Sequence, residues 1–256
     1  YLPQADFMEF SLPDTHLSLV TNDGSPLTSS VVKQLENKGH KVLVLNLPGT
    51  TMTPDINSVI LTAHTDEAIK NAIQEIHSKH GKIGSFIHLH PHFEFQNGNF
   101  TQHFKADKDI VKTVFFLAKH LQQDLNDLGQ TQRANFVTVS RLDGMLGLGK
   151  RSNVSVIGGG LPGLVKCLNL EWSPVKCRAV DIQPELPIEK ISAQVIAELH
   201  DANSAIIEVA YSEEGRKTTS VIPDPVPEEQ KIKTTITKDS VFLVSGGAKG
   251  VTANCV

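Results

Sequence analysis

Gly246, Gly247 and Gly250 lie in VFLVSGGAKGVTANCV, where an apolar run enters a glycine-rich turn that opens a helical pattern. The chemistry this spacing suits is pyrophosphate binding, because a phosphate can rest on the backbone N–H groups of a helix N-terminus only where no Cβ blocks its approach. The apolar residues 241–244 before the turn and 251–256 after it supply the strand and helix that such a motif requires. The competing explanation is an ordinary glycine turn.

A second chemical signal is His88, His90 and His92, which alternate along an expected strand end. Residues two apart share a face of a strand, so these imidazoles could converge on zinc with Glu94 or His103. Pro91 interrupts the strand and no second ligand motif such as HExxH accompanies the run, so no metal ligand is assigned and polar residues at a loop entrance are the expectation. Trp172 is expected to pack at a core or rim, and the EEGRK and EEQKIK runs to be solvated charge.

The chain has 256 residues, 39% hydrophobic, with a net charge of -4, which argues against a polyanion-binding protein. Cys167, Cys177 and Cys255 form neither a short ligand pair nor an even disulfide framework, as expected of free thiols in a reducing cytoplasm. No run approaches the roughly 20 apolar residues of a membrane helix. Tyr1 in place of Met suggests a piece of a longer polypeptide.

Apolar runs of strand length alternate with helical periods, the pattern of a doubly wound, mostly parallel α/β sheet. Strands are expected at 17–21, 41–47, 58–61, 85–89, 134–140 and 177–182, with a terminal strand or hairpin from 205–211 and 217–222. Helices are expected from Pro26 with Ser25 as cap to a stop at Gly39, from a Thr65 cap, over 107–126, over 161–172, and from Pro187. Pro223, Pro225 and Pro227 alternate in a stretch suited to an extended connector. The organisation expected is therefore a linker at 1–15, an α/β unit at 16–222, a linker at 223–239 and the first strand and turn of a second unit at 240–256.

The segments LVTNDGSPLTSSVVKQL, GSFIHLHP, RANFVTVSRLDGMLGLG and GLPGLVKCLNLEWSPVKCRAVDI, in this order, resemble the ketoreductase region of polyketide and polyunsaturated fatty acid synthases. In that region two Rossmann-like, short-chain-dehydrogenase-like halves follow one another. The resemblance implies that residues up to about 222 form a non-catalytic structural half, a truncated dehydrogenase-like body. It implies that SGGAKGVT opens the catalytic half, with Gly246, Gly247, Lys249, Gly250 and Val251 against NADPH and the active site beyond Val256. The implied reaction is reduction of a 3-ketoacyl thioester carried on the phosphopantetheine of an acyl carrier protein, within a cytoplasmic, multifunctional enzyme. The implied partners are the catalytic half and the carrier protein, with neither nucleic acid nor membrane involved.

The residues agree with a body that has no catalysis of its own. A dehydrogenase of this class needs a Tyr proton donor and a Lys four residues on. Tyr1 is followed at that spacing by Ala5 and Tyr211 by Gly215, while Lys166 has Pro162 four positions before it. Ser140 matches the family's catalytic serine but has no acid to work with, so a strand-end hydroxyl is expected and no catalytic residue is assigned. The first turn reads Asn22, Asp23, Gly24, Ser25, Pro26, where a carboxylate would repel phosphate and a proline removes an N–H donor. Asn46 stands where an acid would read a ribose. The alternatives are a self-standing module that binds a carrier protein or another subunit, and a divergent NAD-dependent enzyme.

Overall fold

Leu17, Leu19 and Val20 belong to a run that is apolar at nearly every position, so a strand built from it must be covered on both faces. A computed structural model describes residues 1–5, 11–52, 56–93, 101, 103–149, 154–225, 235–245 and 250–255. It divides into two units, 1–219 and 220–256.

The first unit runs β1 (Leu17–Thr21), α1 (Pro26–Asn37), β2 (Val42–Asn46), β3 (Ser58–Ile60), α2 (Asp66–His80), β4 (Ile83–Leu89), α3 (Phe104–Gly129), β5 (Ala134–Ser140), a 3-10 turn (Ile157–Gly159), α4 (Gly160–Glu171), β6 (Val175–Ile182), α5 (Ile188–His200), β7 (Glu208–Ser212) and β8 (Gly215–Lys217). The eight strands form one sheet in the order β3-β2-β1-β4-β5-β6-β7-β8. Every pairing is parallel except the closing β7–β8 hairpin.

The period-two geometry of a strand sends neighbouring side chains to opposite faces, and the two cores follow it. Leu19, Leu43, Leu45, Phe86 and Phe136 pack with α2, α3 and α4. Val20, Val44, Ile87, Val137 and Val180 pack with α1 and α5. Trp172 is buried against this first layer, its ring edge-on to Phe136 with centroids 5.7 Å apart.

The helix boundaries follow local chemistry. Ser25 caps α1, its Oγ accepting from Leu27 N at 3.2 Å with Pro26 at the first helical position, and Gly39 leaves the helix at φ +85. Thr65 caps α2 by accepting from Ala68 N, with Asp66 and Glu67 in the first turn, where the helix dipole favours negative charge.

Some expectations shift. α3 is longer than 107–126 at both ends, because Asp107 is buried within its first turn and Gly129 reaches a crossing with Pro174 where a Cβ would lie 2.5 Å from a carbonyl oxygen. Pro187 precedes α5 instead of starting it. The second strand of the closing hairpin falls at Gly215–Lys217, not 217–222, because Arg216 is drawn into the sheet by buried carboxylates of Glu198 and Asp201. In the second unit, the strand expected at 241–244 does not form. A strand exists through its ladder, no described strand pairs with these residues, and Val241, Phe242 and Leu243 are exposed. A short helix, α6 (Val251–Cys255), follows Gly250.

Candidate functional site

Strand order reverses between β1 and β4, so their carboxyl ends border the crevice where open α/β sheets hold ligands. Asn22 and Asp23 leave β1 there, Asn46 ends β2, His90 follows β4, Ser140 ends β5 and Asp181 lies near the end of β6. All of these polar groups are buried.

The first turn is closed on itself. Asp23 N donates to Thr28 Oγ1 at 3.1 Å, Gly24 N to Asn22 Oδ1 at 2.8 Å, Ser25 N to Asp23 Oδ1 at 3.1 Å and Leu27 N to Ser25 Oγ at 3.2 Å. Thr28 N donates to Ser25 O at 3.3 Å, and Pro26 has no N–H. The donors that would grip a pyrophosphate are therefore all taken by the turn's own oxygens. Asp23 is further held by Ser25 Oγ at 2.5 Å, by Thr28 Oγ1 at 2.7 Å and by Arg141 Nη2 at 2.7 Å. Burial lowers the Arg141 pKa and the Asp23 charge opposes that drift. Asn22 Nδ2 spans to Asn46 Oδ1 at 2.7 Å and to Thr51 O at 2.9 Å, tying the ends of β1 and β2 together. A pyrophosphate brought to this turn would meet N–H groups already bonded and a carboxylate paired with an arginine.

Beside it runs a buried chain of hydrogen bonds. Thr21 Oγ1 meets His88 Nδ1 at 2.8 Å, His88 Nε2 meets His90 Nδ1 at 3.1 Å, and His90 Nε2 meets Asp107 Oδ1 at 2.9 Å. The Ser155 hydroxyl donates to the other Asp107 oxygen. Burial, then the neighbouring His90, pushes the His88 pKa well below the ordinary histidine value, so His88 stays neutral and donates one of its two bonds while accepting the other. His88 and His90 thus spend their facing nitrogens on each other instead of on a common metal. His92 Nδ1 bonds Arg141 O at 3.0 Å, His103 stacks on Phe93, and Glu94 lies outside the described residues. The polar loop entrance expected of these histidines is in fact a relay buried under it. The void beside His90 and Ser155 is about 10 Å³, less than a small substrate occupies.

Asp181 organises the loop after β5. It accepts from Leu142 N at 2.8 Å, Leu146 N at 2.9 Å and Met145 N at 3.2 Å. Asp143 accepts from Met145 N at 2.8 Å, Gly147 N at 2.9 Å and Gly149 N at 2.8 Å. Burial pushes Asp181 up to about 6, with Asp143 adding to the rise. Burial acts upward on Asp143 too, yet the Gly147 N–H and the Asp181 side chain hold it below its ordinary value. Gly144 sits at φ +67 where a Cβ would collide with Tyr211 O, so the loop cannot accept a side chain there.

The remaining sequence candidates fall as follows. Ser140 is buried, its Oγ 3.4 Å from Val180 O. Tyr211 donates its hydroxyl to Glu198 Oε1 at 2.5 Å, and burial followed by the Glu198 charge drives its pKa up, so it is a structural tyrosine. Lys166 pairs with Glu208 at 2.9 Å on the surface. Gly246, Gly247 and Lys249 lie outside the described residues; Gly250 has φ +71 and Val251 begins α6. The sequence reading missed Arg141, Asp107 and Ser155. A signal existed for Arg141, which follows a strand end at the mouth that Asp23 also occupies.

No protein-family profile matches the chain. Its fold is that of the short-chain dehydrogenases/reductases. A short-chain type dehydrogenase/reductase from Mycobacterium ulcerans superposes with TM-score 0.57 at 15% identity, covering 75% of this chain and 86% of that one. A short-chain dehydrogenase/reductase of Brucella melitensis, described as a glucose/ribitol dehydrogenase, gives 0.56 at 15% identity, covering 76% and 92%. In sequence, the chain is 29% identical over 262 residues to one subunit of the polyunsaturated fatty acid synthase of a Thraustochytrium species. That match takes in 95% of this chain and 8% of the relative's length, so the chain spans a small part of the protein it resembles. The resemblance drawn from the sequence holds on both counts. Among the described residues no helix is long and apolar enough to cross a membrane.

Proposed function

We propose that residues 16–222 are the structural, non-catalytic half of a ketoreductase region in a multidomain fatty acid or polyketide synthase. Residues 240–256 open the catalytic half, with Gly246, Gly247, Lys249, Gly250 and Val251 contributing to the NADPH site. The observation that carries this reading is the closed first turn, in which every N–H from Asp23 to Thr28 is consumed internally in a body that otherwise keeps the reductase architecture. Tyr211, locked on Glu198, supplies no proton donor. Such a body can still bury a face of a neighbouring reductase and hold its helices in place. The reaction served is NADPH-dependent reduction of a 3-ketoacyl thioester on an acyl carrier protein, in the cytoplasm.

The test is reconstitution. The catalytic half of the same synthase, assayed alone with a soluble 3-ketoacyl thioester, should be inactive or weak, and adding this chain in trans should restore NADPH oxidation. Full activity of the catalytic half without this chain would defeat the proposal. So would micromolar NADPH binding by residues 1–222 alone.

A further inference from the structure

The β7–β8 hairpin closes the sheet, and β8 is an edge strand of three residues. So short a ladder holds little by itself, and an uncovered edge leaves its backbone groups to water. Residues 1–5 lie against this edge. Leu2 N donates to Arg216 O at 2.8 Å, and Pro3 O accepts from Arg216 Nη1 at 3.0 Å. The Tyr1 hydroxyl donates to Glu214 Oε2 at 3.0 Å, while Lys217 Nζ sits 5.1 Å from the centre of the Tyr1 ring. Leu2 packs on the hydrophobic layer shared with α1 and α5, and Ala5 is buried. A stretch expected to be linker is therefore anchored at Tyr1, Leu2, Pro3 and Ala5.

Arg216 is the residue on which these contacts turn. It is buried, with Nε on Glu198 Oε1 at 2.7 Å and Nη2 on Asp201 Oδ2 at 2.6 Å, and Nη1 is the arm that reaches Pro3. The planar guanidinium fixes these directions relative to one another, so the side chain that draws β8 into the sheet also holds residues 1–3. Tyr211, opposite Arg216 in the ladder, donates to the same Glu198. Displacing residues 1–3 takes the partners from Nη1 and from the Arg216 carbonyl, and opens one side of the ion cluster to water. Pro3 itself has no N–H, so it cannot pass a full ladder on to a further strand.

We propose that residues 1–5 are an edge clamp on β8, joining the start of the first unit to the residues that lead out of it. Arg216 transmits that hold to the carboxylates under the hairpin. Order across 208–217 then depends on a segment about 210 positions away in sequence, as in the Tyr1–Glu214 bond with its separation of 213, and not on the ladder alone. Residues 1–5 and 215–219 meet at one corner of the sheet and move as one joint. This clamp is independent of the role proposed above, and its test reads no activity.

Hydrogen exchange of the backbone amides, followed by mass spectrometry on the whole chain, tests the clamp. Leu2→Pro removes the N–H that reaches Arg216 O, and Tyr1→Ala removes the ring over which Lys217 sits and the hydroxyl on Glu214. Neither residue lies in the hairpin, and Tyr1 is exposed, so the second variant keeps the test valid if the first disturbs folding. Leu2→Pro should speed exchange across 208–217 about tenfold, the scale of a lost hydrogen bond, and Tyr1→Ala about threefold, with β1, β4 and β5 exchanging as in the wild type. Unchanged exchange across 208–217 in both variants overturns the proposal. So does an equal acceleration over all the strands, which would make residues 1–5 a general support of the sheet.

Discussion

Asp23 and Arg141 form a buried ion pair at the mouth of the crevice. A buried carboxylate in a turn shaped for phosphate is tolerable because a guanidinium 2.7 Å away and the turn's own donors satisfy it. Removing the arginine leaves that charge stranded, which is far more damaging than never having had the pair. Arg141→Ala should therefore cost about 3 kcal/mol of unfolding free energy, measured by chemical denaturation, whereas Lys79→Ala, on an exposed pair with Glu75, should cost under about 1 kcal/mol. Equal, small losses in the two variants would show that Asp23 is solvated in solution and the turn open. Cys177 illustrates the opposite case, a buried thiol pushed up to about 12 and so inert.

The elements that carry this chemistry are the loops at the strand ends, and the one after β5 has a pH signature. Asp181 is shifted upward from 3.8 to about 6, so the folded state binds its proton more tightly than the unfolded chain does. Its contribution to stability is fully present below 3.8 and is lost as pH rises through 6. Unfolding free energy should fall across that window by up to about 1 kcal/mol per pH unit from this group, and Asp181→Asn should flatten the decline. A wild-type profile identical to that of the variant between pH 4 and 6 would show that Asp181 titrates normally. The strands and helices that support the loop were readable from capping residues and apolar period, since Ser25, Thr65 and Gly39 act within a few residues of where they stand. The β7–β8 hairpin was misplaced because Arg216 reads as a loop residue until Glu198 and Asp201, contributed by α5 and the residue after it, neutralise it.

At the scale of the molecule, residues 1–219 carry both hydrophobic layers and the whole eight-stranded sheet. Residues 1–222 alone should therefore unfold cooperatively, with a denaturation midpoint within a few degrees of that of the full chain. A broad, non-cooperative transition would mean that the 220–256 unit is needed to complete the fold.

The alternation of apolar runs with helical periods, the Ser25-Pro26 and Thr65 starts, and the missing Tyr-Lys pair are short-range properties, so the sequence alone determined a doubly wound body in which no Tyr stands four residues before a Lys. Which polar groups meet is a long-range matter. The sequence offered His88, His90 and His92 as candidate ligands, and tertiary packing turned two of them into a buried relay to Asp107 on α3. It also brought Arg141 across 118 positions to Asp23. Charge can be buried only where a partner arrives from elsewhere in the chain, and that arrival is a property of the packed sheet, not of any local run of residues.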